Sequence, residues 1–207
     1  MLKTAGTKTA FSKEEQRQQK RLAVLQIGAR LFSERGFDRT SLDDIATELK
    51  VSKRTLYYYI SSKDEILFEC SQLAFEYLDT AMQDAERANV ERPPLDRLKA
   101  FFRLYAQVLS NDFGACLVRC QNDVLSQESR AVLHEGYKKV DFAIRQLLKE
   151  GIEDGSISPC DPKLTAAAMF GAFNWLPYWH RDGSQDSYSE IAEQFLTTFL
   201  DGLAQRN

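Results

Sequence analysis

Apolar residues recur every three to four positions along most of the chain, which is the period of amphipathic α-helices. In the first such stretch, residues 13–35, the apolar positions include Leu22, Leu25, Ala29 and Phe32. The same period predicts further helices at about residues 42–49, 52–60, 62–87, 95–110, 118–125, 129–153, 162–179 and 187–204. No stretch shows the alternation that is typical of strands. The pattern therefore predicts an all-α fold of about nine helices.

The order of short and long helices divides the chain into three parts. Residues 1–12 are expected to form a flexible N-terminal tail. Residues 13–65 contain one long and two short helices, which predicts a three-helix unit. Residues 66–207 contain the remaining helices of a larger unit. Within this larger unit, consecutive prolines at 93–94 and the turn-rich segment 151–162 are expected to interrupt the helices.

Charge is distributed unevenly between these parts. The whole chain has a formal net charge of −3, which alone argues against a nucleic-acid-binding protein. However, residues 1–65 carry 13 Lys and Arg against 9 Asp and Glu, whereas residues 66–207 carry 14 against 21. Residues 1–65, called the head below, are therefore positively charged, and the rest of the chain is negatively charged. This distribution predicts that any contact with a polyanion is confined to the head.

Nothing in the sequence indicates export or membrane insertion. The first residues lack the apolar run of a secretory signal. The longest apolar stretch, 166–179, is interrupted by Asn174 and is too short to cross a bilayer. We expect a cytoplasmic protein that does not bind membranes.

Two short helices joined by a tight turn stand at residues 41–60, and the second is basic and rich in tyrosine. This is the pattern of a helix-turn-helix, in which the second helix enters the major groove of DNA. Its first turn presents side chains to base edges. Lys and Arg neutralise phosphate charge, while Thr and Tyr hydroxyls donate to phosphate oxygens. The stretch therefore predicts contact with double-stranded DNA.

The stretch from residue 36 to residue 67 resembles the DNA-binding domain of the TetR family of transcriptional regulators. The matching segments are Gly36-Phe37, Thr40-Ser41, Ile45-Ala46, Val51-Ser52-Lys53, Thr55-Leu56-Tyr57-Tyr58-Tyr59 and Lys63-Asp64-Glu65. Chain length and helix count are similar to the family's nine-helix plan. The resemblance implies a homodimeric repressor that binds a palindromic operator and is released by a small hydrophobic effector. In one departure, Lys50 stands where the family usually has glycine, so we expect a left-handed lysine in the turn.

Carried over residue by residue, the resemblance implies a set of DNA-binding positions. Base-reading positions are Lys53, Arg54 and Thr55. Tyr57 is similar to the family's phosphate-binding tyrosine, and Tyr58 and Tyr59 occupy positions where the family places aromatic side chains against DNA. The remaining members of the set are Thr40, Ser41, Ser52 and Lys63.

The larger unit resembles the family's ligand-binding and dimerisation domain. The resemblance implies a pocket lined by aromatic and neighbouring side chains, for which the candidates are Phe75, Phe102, Tyr105, Phe113, Tyr137, Asn174, Trp175 and Trp179. It also implies that the last two long helices pair with those of a second copy. The candidate interface residues are Phe170, Phe173, Phe195 and Phe199.

The spacing of Asn174-Trp175 and Trp179 is similar to that of TetR regulators that sense acyl-coenzyme A thioesters. The chain departs from them at Tyr178, where those members often carry a basic residue, and at Pro177 within the helix. An acyl-CoA effector would need cationic partners for its phosphates. The nearest candidates along the sequence are Arg119, Lys163 and Arg181.

Three other functions remain open from the sequence. One is a regulator that senses drugs or aromatic compounds, and another is a DNA-binding protein without a small-molecule switch. The third is an enzyme, which we do not expect, because His134-Glu135 is followed by no second histidine of a zinc-peptidase motif. We expect neither a metal site nor a cofactor. Cys116 and Cys120, four residues apart, are interpreted as small buried apolar side chains rather than thiol sensors or metal ligands.

Overall fold

Helices account for all the regular secondary structure in the part of the chain that the computed structural model describes, residues 13–88, 92–120, 122–180 and 186–202. The α-helices within these ranges are α1 (Lys13–Arg35), α2 (Leu42–Glu48), α3 (Lys53–Tyr57), α4 (Lys63–Ala88), α5 (Pro94–Leu109), α6 (Asp112–Arg119), α7 (Gln127–Glu153), α8 (Pro162–Asn174), α9 (Leu176–Trp179) and α10 (Tyr188–Asp201). A short 3-10 helix spans Asn122–Val124. Only one residue separates α8 from α9, so the predicted all-α fold of about nine helices is confirmed. The predicted flexible tail at 1–12 and Arg181 lie outside the described residues.

Three helix boundaries differ from the sequence prediction. The helix predicted at 118–125 begins instead at Asp112, because the Asn111 side chain accepts a hydrogen bond from the Gly114 N–H and caps it. Helix α3 ends at Tyr57, whereas the helix predicted from the sequence continued to about residue 60. The helix predicted at 162–179 is interrupted at Trp175, because Pro177 has no N–H to donate to a carbonyl in the preceding turn.

Two apolar clusters organise the molecule. The first joins α1 to α4 and also contains Phe113, Cys116 and Leu117 of α6. The second joins α4, α5 and α7 to α10 and is centred on buried Phe102 and Phe173. Helix α4 contributes to both clusters, and α6 packs against both α1 and α4. The two short helices α2 and α3 therefore rest on a base that continues into the larger unit.

Close contact between α1 and α4 fixes this base. A Cβ atom at Gly28 would lie 2.5 Å from Ile66 Cγ2, so the two helices approach more closely than an alanine at this position would allow. Within the described ranges, no helix is long and apolar enough to cross a membrane.

Candidate nucleic-acid interface

Side-chain caps fix the start of both short helices. Ser41 accepts a hydrogen bond from the Asp44 N–H, and the Asp44 carboxylate accepts from the Ser41 N–H in return. Hydrogen bonds from Ser41 lower the pKa of Asp44, so this cap is ionised at neutral pH. Ser52 caps α3 in the same way by accepting from the Thr55 N–H. The sequence therefore specifies where α2 and α3 begin.

The turn between the two helices contains a left-handed lysine, as predicted. Lys50 has φ 55°, a conformation that costs roughly 1 kcal/mol in a residue with a Cβ atom. The Val51 N–H donates to the Ala46 carbonyl at 3.0 Å and closes the turn. Leu56 of α3 and Ile45 of α2 are fully buried, so α3 is held against α2 by its one inward side chain.

The outer face of α3 carries the side chains that the resemblance assigns to DNA. Lys53, Arg54 and Thr55 are exposed, while Tyr57 and Tyr58 are 49% and 67% exposed. Exposed tyrosines next to a buried leucine are typical of a contact surface rather than of a core.

Several predicted residues meet in one shallow cleft. Ser41, Lys53, Tyr57 and Lys63 line a cleft of about 310 Å³ together with Arg39, which the sequence analysis did not single out. The Lys53 ammonium forms an ion pair with Asp43 at 2.9 Å, and this contact raises the pKa of Lys53. Both groups are exposed, so the pair is weak and easily exchanged for a phosphate.

Thr40 lines the same cleft, and its side chain is buried. Its hydroxyl donates to the Gly36 carbonyl at 2.9 Å and lies 3.3 Å from the Leu31 carbonyl, so it holds the end of α1 to the start of α2. Its contact with a phosphate stays a prediction. Lys63 is also engaged, since its ammonium donates to the Phe37 carbonyl at 2.9 Å and lies over the Phe37 ring.

Arg21 of α1, whose contacts the sequence analysis missed, anchors the end of residues 53–60, the proposed recognition segment. Its guanidinium donates to the Tyr59 carbonyl and to the carboxylates of Glu65, at 2.7 Å, and Glu69. Its hydrogen bonds to Glu69 and Glu65 raise the pKa of Arg21 against the opposing effect of burial. Local spacing gives no signal for this contact, because the partners lie 38 to 48 residues away.

The predicted pocket residues are spread over the two apolar clusters and the surface. Phe102 and Tyr105 are buried in the second cluster, where the Tyr105 hydroxyl donates to Asn174, and burial raises the Tyr105 pKa. Phe113 belongs to the first cluster. The other candidates lie elsewhere: Phe75 packs edge-on against Tyr137, and Trp175 and Trp179 are exposed at the surface.

Two clefts in the described part of the larger unit are lined by none of the eight candidates. One of about 240 Å³ lies between α4, α5 and α7 and is lined by Met82, Arg97, Phe101, Phe142, Ala143, Gln146, Leu147 and Glu150. The other, of about 830 Å³, lies between α5, α8, α10 and residues 156–160. Sequence reasoning missed them because it favoured aromatic residues, most of which pack against one another.

The predicted dimer residues divide between core and surface. Phe173 is fully buried inside the chain, so it belongs to the core and not to an exposed face. Phe170 and Phe195 are half-buried beside it, and Phe199 remains exposed. The exposed apolar stripe of α8 consists of other residues, namely Leu164, Ala167, Ala168, Gly171 and Trp175.

Comparison with known proteins agrees with this architecture. Residues 24–70 match the family described as bacterial regulatory proteins, tetR family. Residues 91–203, more than half of the chain, match the tetracyclin repressor-like C-terminal domain.

Individual relatives cover most of the chain. The HTH-type transcriptional repressor KstR2 of Mycobacterium tuberculosis is 23% identical over 185 residues, covering 88% of this chain and 92% of the relative. The TetR family regulator PfmR of Thermus thermophilus superposes with a TM-score of 0.78 at 28% identity, covering 88% of this chain and 99% of PfmR. AibR, solved in complex with isovaleryl coenzyme A and operator DNA, shares the fold with a TM-score of 0.78 at 22% identity, covering 87% of this chain and 98% of AibR. The chain therefore belongs to the TetR family of bacterial regulatory proteins.

Proposed function

We propose that the protein represses transcription by binding a palindromic operator as a homodimer, and that a small hydrophobic effector, an acyl-CoA thioester, releases it. The observation that carries the DNA-binding part is the exposed face of α3. There, Lys53, Arg54 and Thr55 stand on the first turn, while Leu56 is buried against α2. This places three polar side chains at the end of the helix that reaches base edges in helix-turn-helix proteins.

The cleft between α4, α5 and α7 is the proposed effector site. Met82, Phe101, Phe142 and Leu147 supply an apolar lining, and Phe142 is 63% exposed at its edge. An acyl chain buried there would gain about 0.8 kcal/mol per methylene. AibR binds isovaleryl coenzyme A within the same fold, which supports a thioester as the effector class.

A cation is available beside this cleft for the acidic part of the effector. Arg97 lines it and forms an ion pair with Glu150 at 3.1 Å, with 30% of the Arg97 side chain exposed. A phosphate or thioester oxygen would compete with Glu150 for the guanidinium. Arg119, a candidate from the sequence, is less available, because its guanidinium donates to the Pro177 carbonyl at 3.1 Å.

Release of DNA requires that the effector bind the DNA-free conformation more tightly than the DNA-bound one. The test is a DNA-release screen of acyl-CoA thioesters, their free acids and hydrophobic cations. Ala143→Trp should fill the cleft, leave operator affinity unchanged and abolish release by thioesters. Val132→Trp, on an exposed part of the same helix, is the matched control. Release by a cation and by no thioester would instead indicate a drug-sensing regulator, and thioester release that survives Ala143→Trp would exclude this cleft.

The apolar stripe on α8 is the proposed dimer interface. Leu164, Ala168, Gly171 and Trp175 recur at helical spacing, and Leu164 and Trp175 are 66% and 60% exposed. Phe199 of α10 adds to this face. Because the cleft of about 830 Å³ is lined by Leu164, Ala168 and Phe199, a partner on this face would cover it. The small residues allow close approach of a second α8.

A further inference from the structure

Two thiols lie against each other at the end of α6. The Sγ atoms of Cys116 and Cys120 are 3.7 Å apart, and both side chains are buried. Cys116 is in the last turn of the helix, whereas Cys120 follows it with an extended backbone and turns its side chain back toward Cys116. A disulfide needs the sulfurs at about 2.05 Å, so an approach of about 1.6 Å would join them.

The position of the pair links the DNA-binding head to the rest of the molecule. Both thiols belong to the apolar cluster formed with α1 to α4. On the other side, the α6 residues next to them contact α9, since Arg119 donates to the Pro177 carbonyl and the Tyr178 hydroxyl donates to the Val118 carbonyl at 2.9 Å. A displacement at this end of α6 would therefore move side chains that contact both the α1–α4 cluster and α9.

The environments of the two thiols differ in a way that suits stepwise oxidation. Cys116 is fully buried, while Cys120 is 8% exposed. The hydrogen bond between the two sulfurs, with the positive charge of Arg119, lowers the pKa of Cys120 against its burial, whereas hydrogen bonding and burial raise the pKa of Cys116. The more accessible sulfur is therefore the better nucleophile.

We propose that Cys116 and Cys120 form a peroxide-sensitive thiol pair whose oxidation to a disulfide weakens operator binding. The Cys120 thiolate attacks one oxygen of a hydroperoxide, the O–O bond breaks, and a sulfenic acid forms while the other oxygen leaves as water or an alcohol. Cys116 sulfur then attacks the Cys120 sulfur, the S–O bond breaks, and hydroxide leaves with the Cys116 proton as water. The two thiols supply the two electrons that reduce the peroxide. Drawing Cys120 toward Cys116 displaces the end of α6 within a close-packed core, which alters the base on which the head is oriented.

The inference rests on the proposed operator binding, and the experiment separates the two. The protein is treated with hydrogen peroxide and digested with trypsin without reduction. Because cleavage after Arg119 separates the thiols, a disulfide appears as peptides 104–119 and 120–130 joined together. Operator affinity is measured in parallel on the sequence that the reduced protein selects. We expect the joined peptides to appear and the operator affinity to fall by about tenfold or more. Dithiothreitol should restore the affinity.

Variants and an oxidant control complete the test. Cys116→Ser and Cys120→Ser should each abolish the joined peptides and the loss of affinity, while Cys70→Ser, which keeps a donor to the Leu25 carbonyl, should retain both. A parallel sample of glutathione treated with the same peroxide reports that the oxidant is active. Oxidised glutathione without joined peptides, or joined peptides without a change in affinity, would overturn the inference alone. If the reduced protein selects no operator, the proposed function fails and the regulatory inference fails with it.

Discussion

At the scale of single residues, α3 separates side chains that hold the helix in place from side chains that are exposed on its outer face. Leu56 is fully buried and Ser52 is engaged in capping, so neither is available for base contacts. Lys53, Arg54 and Tyr57 are exposed, and Lys53 is paired with Asp43 at the surface. We therefore expect specificity and general affinity to reside in different residues of the same short helix.

Arg54→Ala is expected to weaken binding to the operator by about 1–3 kcal/mol and to relax the preference at one base pair, because a bidentate base contact is lost. Tyr57→Phe is expected to weaken binding to all sequences by a similar factor, since only a phosphate contact is removed. Titrations on the operator and on single-base variants distinguish the two effects. Equal losses on every sequence for Arg54→Ala would place its contact on the backbone.

At the scale of helices, Arg21 joins α1, the end of the recognition segment and α4. Arg21→Met is expected to lower the free energy of unfolding by about 1–3 kcal/mol, because it removes charge-assisted hydrogen bonds to Glu65 and Glu69. It should also lower operator affinity, since the Tyr59 carbonyl loses its donor. Arg30→Met is the control, because Arg30 lies on the same helix as Arg21. Its ion pair with Glu48 of α2 is at the surface and is worth at most about 1 kcal/mol. Equal effects of both variants in denaturant titrations would contradict the special role of Arg21.

The same cluster predicts a dependence of stability on pH. Burial raises the pKa of Glu65, but hydrogen bonds from Ser61 and Arg21 outweigh it, so the net pKa is lowered. A carboxyl with a lowered folded-state pKa contributes stability above its unfolded pKa, and this is lost as pH falls through the folded value. Denaturant titrations should therefore show that the free energy of unfolding of the unmodified protein falls below about pH 4.5. In Glu65→Gln, part of this fall should be absent.

The sequence predicted which segments are helical more reliably than it predicted which helices and side chains contact one another. The periodicity predicted the helices, and the resemblance to the family predicted the left-handed lysine in the turn, because both depend on local preferences. The start of α6 was misplaced because the apolar period alone does not show that Asn111 caps it. Arg21 and the two clefts were missed because their partners are distant in the chain. Phe102 and Phe173 were assigned to functional surfaces because a sequence does not reveal which aromatic side chains face one another in a core.

At the scale of the whole molecule, the exposed stripe of α8 and Phe199 of α10 form the proposed dimer interface. Leu164→Asp or Phe199→Asp is expected to yield monomers, because each buries a charge in an apolar interface. Val132→Asp introduces the same charge on exposed α7 and should leave the dimer intact. Light scattering at micromolar concentration gives the mass directly. Dimers that persist in both stripe variants would move the interface to another face.

Genome-wide selection of DNA fragments by the purified protein is the most direct test of operator recognition by α3. The exposed face of α3 and the proposed two-fold pairing through α8 and α10 predict one enriched palindrome. Its half-sites should lie about 10 base pairs apart or at a multiple of that distance. Affinity for this site should fall by about 10³-fold or more between 50 and 200 mM salt. Enrichment of no sequence, or of a sequence whose binding is unaffected by Arg54→Ala and Lys53→Ala together, would contradict recognition through this helix.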